Sequence, residues 1–285
     1  MLNLRATTVD NLELVAIQMI SVPDVDANLI EVTSQLVQWQ SQRTSSHNAL
    51  VVLPECFAFF GGNDKGQLAL LEPSTQAHLK QWCCDTARTF GIWLVTGSIP
   101  TPSCEPNKLK ATSWLINPAG EMCAAYVKAH LFDVDVADNT RAYRESATTV
   151  AGEQAVTYTS AIGHIGMAIC YDLRFSALFN AMSAKKPLDV IVLPAAFTYT
   201  TGKAHWHSLL AARAIEYQSY VVAANQAGVH ANGRETFGHT VIYSPWGERI
   251  ACIEQGCGWI SCHLDDEAQE HIRQAIPMAQ HRKVF

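Results

Sequence analysis

The chain has 285 residues, 48% of them hydrophobic, with a mean hydropathy of +0.04 and a formal net charge of −6. That apolar content can bury a sizeable core, which excludes a disordered chain. The basic residues are scattered, which argues against a nucleic-acid surface, and the lack of any run of 18 apolar residues argues against a membrane span.

In chain order, the first stretch, "MLNLRATTVDNLELVAIQM", has charges interrupting any apolar core and no small-residue cleavage site, so no secretory leader is expected. Residues 1–12 read as a loose arm. Strands are predicted at 13–19, 49–54, 92–98, 112–117, 122–127, 163–170, 188–194 and 220–225. Helices are predicted over 25–43, where Leu29, Val32, Leu36 and Trp39 share a face, and over 74–90, where Leu79, Trp82, Cys83, Thr86 and Phe90 do. Ser74 suits an N-cap for the second, and Gly91 the position just past its end. A third helix is expected over 203–219, with Trp206, Leu210, Arg213 and Tyr217 aligned.

Alternating strands and helices predict an α/β protein, and the nearly all-apolar strands predict sheets covered on both faces. The turns "INPAGEMC" (116–123) and "YSPWGERI" (243–250) resemble each other, which suggests two related halves, each with its own sheet. One domain over 1–285 is the simplest organisation. Nine cysteines without a secretory leader read as reduced thiols of a cytoplasmic protein.

Three polar residues follow directly on apolar runs: Glu55 after "ALVVLP", Lys128 after "MCAAYV" and Cys170 after "GHIGMAI". Glu145 lies in the loop "RAYRES". Open α/β sheets build sites at the carboxyl ends of their strands. Each residue alone is more simply a cap neighbour, a solvated strand end or a packed thiol. Together they complement one another. A thiol needs a base to attack as thiolate, a glutamate can take that proton and return it to a leaving amine, and an ammonium can hold an oxyanion. A strand-to-helix turn after Cys170 would add backbone N–H groups. Such groups suit amide or nitrile hydrolysis through a thioester.

The segments "LPECFAFFG", "YVKAHLFDVD", "YRES" and "AICYDLRF" resemble the Glu, Lys, second Glu and Cys motifs of the nitrilase superfamily, the carbon–nitrogen hydrolases. Order and spacing match, with 73 residues from Glu55 to Lys128 and 42 more to Cys170. Segments 201–228 and 238–248 are similar to the branch of omega-amidases and deaminated-glutathione amidases. "CYDLRF" resembles amidases, whereas true nitrilases tend to carry Trp-Glu after the cysteine. The resemblance implies a four-layer α-β-β-α sandwich, paired through its helical layer into a homodimer or a higher homo-oligomer. It implies Cys170 as nucleophile and Glu55 as general base and acid. Lys128 and the Tyr171 backbone N–H would stabilise the oxyanion, and Glu145 would orient Lys128 or the substrate. It favours short dicarboxylate monoamides or their peptide-like relatives as substrates, with no cofactor. A nitrilase or N-carbamoyl amide hydrolase of the same superfamily is the alternative activity.

Arg174, four residues after Cys170, could hold a substrate carboxylate bidentately or pair with Asp172 or another structural acid. Phe197, Thr200 and Thr201 follow the strand 188–194 and either line the same cleft or cap the next helix. A cysteine–histidine hydrolase would want glycines around its nucleophile, and "AICYD" has none. A non-catalytic scaffold on this fold would be favoured by loss of Glu55, Lys128 or Cys170, all present here.

Cys252, Cys257 and Cys262 recur at an interval that flips side-chain direction along a strand, so no metal site is expected of them. His205 and His207 point apart on a helix. Cys56, beside Glu55, reads as buried rather than as an accessory thiol.

Overall fold

The computed structural model describes residues 12–44, 47–63, 65–136 and 142–283. The expected alternation is present. Its strands are β1 (Glu13–Gln18), β2 (Ala49–Val52), β3 (Trp93–Val95), β4 (Ile99–Pro102), β5 (Leu109–Ile116) and β6 (Met122–Val127), then β7 (Asp133–Asp135), β8 (Ala142–Arg144), β9 (Val156–Ser160), β10 (Gly163–Met167), β11 (Val190–Ala195) and β12 (Tyr220–Asn225). There follow β13 (Ala227–Val229), β14 (Glu235–Phe237), β15 (Thr240–Tyr243), β16 (Arg249–Ile253) and β17 (Gly258–His263). The main helices are α1 (Val25–Gln42), α2 (Pro73–Phe90), α3 (Ser176–Ser183) and α4 (Tyr199–Tyr217).

One sheet runs β17-β1-β2-β3-β5-β4, with β6 on β5, and the other runs β16-β15-β12-β11-β10-β9. In each, three parallel strands continue into an antiparallel hairpin. Alternating residues explain the layering. Val15, Ile17 and Val51 face Leu29, Val32, Leu36 and Trp39 of α1 and Leu79, Cys83 and Phe90 of α2. Leu14, Ala16, Leu50 and Val52 face the second sheet, whose cluster continues to Phe179 of α3 and Trp206 and Leu210 of α4. The layers are therefore helix, sheet, sheet, helix. Each fully buried large side chain contributes about 1.5–3 kcal/mol of transfer free energy.

The two similar turns are alike in detail. Asn117 and Ser244 each accept a hydrogen bond from the glycine three residues on, Gly120 and Gly247, at 2.8 and 2.9 Å. Both glycines have positive φ, and a register shift sits just before each turn. Such glycines relieve a backbone that a side chain would strain.

The chain departs from expectation at several ends. Helix α2 starts at Pro73, not after a Ser74 cap, because proline's missing N–H costs nothing at the first helical position. Gly91 closes it in the left-handed conformation, as expected. Helix α4 starts at Tyr199, capped by Thr198. Residues 1–11 of the expected arm lie outside the described residues. Leu12, counted with that arm, is buried, and its carbonyl accepts from the Leu264 N–H at 2.9 Å. All nine cysteines are free thiols. Among the described residues, no helix is long and apolar enough to cross a membrane.

Candidate active site

The topology gathers the polar strand ends at one edge. Glu55 follows β2, Cys170 follows β10 and Ala196 follows β11, all at the carboxyl ends of parallel strands. Two antiparallel pairings bring β6 back to the direction of β3, so Lys128 reaches the same edge. Glu145 opens a short 3-10 turn after β8.

These residues are in contact. Lys128 Nζ donates to Glu55 Oε1 at 2.7 Å and to Glu145 Oε1 and Oε2 at 3.0 and 2.9 Å. Glu145 Oε2 also accepts from the Phe132 N–H at 2.7 Å, which fixes its carboxylate behind the lysine. Glu55 Oε2 accepts from the Ala196 N–H at 2.9 Å. Glu55, Lys128 and Cys170 are 5%, 2% and 7% exposed, so their charges act with little solvent screening. Burial opposes a charge on Lys128, yet the carboxylates of Glu145 and Glu55 hold its pKa well above the usual value. Burial, reinforced by Glu55, raises the Cys170 thiol well above its ordinary value, although Lys128 and the Ala196 N–H pull the other way. Burial thus favours the neutral form of the Cys170 thiol, which is bonded to Glu55.

The strand containing Cys170 is shorter than expected. The ladder ends at Met167, and Cys170 opens a 3-10 turn, Cys170–Arg174, that leads into α3. Cys170 has φ 49°, a left-handed backbone that costs a non-glycine residue roughly 1–3 kcal/mol and persists only if the surroundings impose it. Asp172, fully buried, supplies that constraint. Its Oδ2 accepts from the Ile169 N–H at 2.9 Å and the Tyr126 hydroxyl at 2.6 Å. Its Oδ1 accepts from the His130 N–H at 3.0 Å and lies 2.7 Å from His130 Nδ1. The turn is therefore tied to the segment that follows Lys128.

Asp172 is fully engaged, so the alternative in which it pairs with Arg174 does not hold. Arg174 instead lies over the rings of Phe197 and Tyr171, at 5.2 and 5.7 Å, with one guanidinium nitrogen 3.2 Å from His205 Nδ1. A cleft of ≈ 550 Å³ opens above Cys170, within the range of small-molecule sites. Phe197 and Thr201 line it with Tyr171, Glu55, Lys128 and Glu145, as expected. Thr200 does not; it is exposed, one residue and so about 100° out of phase with Thr201 on α4. Arg174 sits behind the lining rings rather than in the wall.

Other groups in the site carry no sequence signal. The Ala196 N–H is a backbone group, and Thr198 lines the cleft only because it caps α4. Cys56, also in the wall at φ 56°, receives a hydrogen bond from Gln67 Nε2 at 3.1 Å. Its thiol is pushed up to about 12 by burial and by Glu55.

Residues 14–271 match the carbon-nitrogen hydrolase family. The chain is 38% identical over 272 residues to the deaminated glutathione amidase of Synechocystis sp., covering 94% of this chain and 96% of the relative. It is 33% identical over 265 residues to the omega-amidase NIT3 of Saccharomyces cerevisiae, covering 92% and 90%. The crystal structure of Saccharomyces cerevisiae Nit3, described as a member of branch 10 of the nitrilase superfamily, superposes with a TM-score of 0.84 at 30% identity, covering 96% of this chain and 97% of that one.

Proposed function

We propose that this chain, which belongs to the carbon–nitrogen hydrolase family, hydrolyses a small linear amide through a thioester on Cys170. The observation that carries this reading is the continuous hydrogen-bonded chain Ala196–Glu55–Lys128–Glu145 beside a thiol held at positive φ.

In the proposed course, Glu55 takes the Cys170 proton as sulfur attacks the substrate carbonyl carbon. The carbonyl oxygen becomes an oxyanion, held by Lys128 Nζ and the Tyr171 backbone N–H. Glu55 returns the proton to the nitrogen as the C–N bond breaks, releasing ammonia or an amine and leaving an acyl thioester. Water, deprotonated by Glu55, then attacks the thioester. The C–S bond breaks, the acid leaves and sulfur regains a proton. Glu145, bonded to Lys128 by both oxygens, holds the ammonium in place and transfers no proton. Burial raises the Glu145 pKa, while Lys128 opposes this.

The substrates named for the relatives, a deaminated glutathione and an omega-amide, both suggest an amide with a carboxylate elsewhere in the molecule. We take the substrate to be of that class. Arg174 is the group proposed to receive the carboxylate, for which its guanidinium has to turn past the Tyr171 and Phe197 rings into the cleft. A panel of monoamides tests the reading: ammonia release is expected from at least one omega-monoamide of a dicarboxylate, at a higher kcat/KM than from the neutral amide of equal length. Equal kcat/KM for both would count against a carboxylate subsite, and release only from nitriles or N-carbamoyl compounds would move the activity elsewhere in the superfamily.

Arg174→Lys sharpens that test. A point charge cannot reproduce the guanidinium fork, so KM for carboxylate-bearing amides is expected to rise about tenfold or more, with that for neutral amides nearly unchanged. An equal rise for both would make Arg174 a packing residue. We also place the protein in the cytoplasm, a reading supported by its nine free thiols. A homodimer through the helical layer is supported by exposed Ile215 on α4 and Trp246 in the adjacent turn.

A further inference from the structure

Two signals that stand apart in the sequence meet on the helical side of the second sheet. His207 lies on α4, Cys252 on β16, and His239 between β14 and β15. One ring nitrogen from each histidine and Cys252 Sγ all lie within 4.8 Å of one another, the one such group of three among the described residues. The trio Cys252, Cys257 and Cys262 does not gather in this way.

The geometry is that of a closing site. His207 Nε2 and His239 Nδ1 are 3.1 Å apart. Two imidazole nitrogens each about 2.0–2.1 Å from a tetrahedral zinc stand about 3.3 Å from each other. Groups outside the trio hold each ring. His207 Nδ1 is 2.9 Å from the Tyr243 hydroxyl, an outer partner of the kind that fixes which nitrogen is left to ligate. The His239 ring stacks on Phe237 with centroids 4.0 Å apart and planes at 6°. Its backbone is pinned at φ 53°, its carbonyl accepting from Trp206 Nε1 at 2.8 Å and its N–H donating to the Glu254 carbonyl at 3.2 Å. Strain of that kind persists only where the surroundings over-determine it.

We propose that His207, His239 and Cys252 bind zinc, with water as the fourth ligand. Two imidazoles and one sulfur are donors that suit zinc among the common divalent ions. Each imidazole would ligate in its neutral form through the nitrogen that faces the trio. The Cys252 thiol gives its proton to solvent as the metal–sulfur bond forms. Arg249 and Glu254 bring opposite charges to the two rings. All three ligands are half-buried, so an ion can reach them, and none lines the catalytic cleft. The bound ion would clamp α4, whose first turn carries Thr201 into that cleft, to the β15–β16 hairpin.

Cobalt provides the readout. Chelator-treated full-length protein carrying Cys170→Ala, which removes the nucleophilic thiol as a competing ligand, is titrated with Co²⁺. One equivalent is expected to give tetrahedral d–d bands and a thiolate-to-cobalt charge-transfer band, both bleached by Zn²⁺. Cys252→Ser should remove the charge-transfer band while leaving circular dichroism unchanged, and His207→Gln or His239→Gln should remove the tetrahedral bands. Zinc at a hundredfold excess over its Kd is expected to raise Tm by about 5 °C. The proposal is overturned if no tetrahedral spectrum develops in the Cys170→Ala protein, or if the spectrum survives in the Cys252→Ser and His207→Gln proteins. In either case the two rings and the sulfur form only a hydrogen-bonded contact.

Discussion

Replacing Cys170 by alanine is expected to lower ammonia release by about 10⁴-fold or more, because the covalent route is lost while the cleft remains. The side chain is small and 7% exposed, so its loss removes the nucleophile with little change in packing. The same experiment separates the two thiols that flank Glu55. Cys56 also lines the cleft, but its thiol is engaged by Gln67 and Ser98, whereas that of Cys170 is bonded to Glu55. Cys56→Ser should therefore retain most of the activity. Rapid quenching of the wild-type protein with substrate should show an acyl group on the peptide containing Cys170. An acyl group on Cys56, or equal rates for wild type and Cys170→Ala, would sink the assignment.

Lys128→Met is expected to fail in two separable ways. The oxyanion loses its ammonium, which should cost about 10²–10³ in kcat. The fold loses the cation between two carboxylates, and an uncompensated buried charge of this kind costs about 3–5 kcal/mol, or roughly 5–8 °C in Tm. A pH signature identifies the cause. The Glu145 pKa is raised by burial and Glu55, and Lys128 is the group that opposes the rise. Without it the carboxyl binds a proton more strongly folded than unfolded. A group of that sign adds stability below its unfolded pKa and loses it as pH rises through the folded value. The stability deficit of Lys128→Met relative to wild type should therefore narrow from pH 7 towards pH 5 in urea titrations. A deficit that is flat across that range would mean that lost packing, not unpaired charge, explains the loss. Activity close to wild type would remove Lys128 from the chemistry.

The parts that sequence reading captured share a physical cause. Buried parallel strands must be apolar through their length, so a polar residue at the end of such a run stands out, as Glu55 does after β2. The helices of the first half showed their faces because each packs on one side only, whereas Tyr199–Gly202 of α4 carries no apolar period and its start was not visible. The strands β13 to β17 are short or half-exposed, and mixed burial leaves little pattern. Thr200 and Thr201 are chemically identical and adjacent; only the helical phase, set by the Thr198 cap, puts one in the cleft and the other in solvent. The Ala196 N–H and the Asp172 anchor depend on contacts across 141 and 42 residues, which no local spacing encodes.

The matched hairpin turns and paired sheets give the fold an internal pseudo-twofold character, but its chemistry does not share it. Glu55 and Lys128 follow strands of the first sheet, Glu145 follows the β7–β8 hairpin between the two sheets, and Cys170 and the Ala196 N–H follow strands of the second. In the proposed course, proton handling by Glu55 resides at the first sheet and the nucleophile at the second. Neither sheet carries the site alone; it exists only where the edges of the two sheets meet.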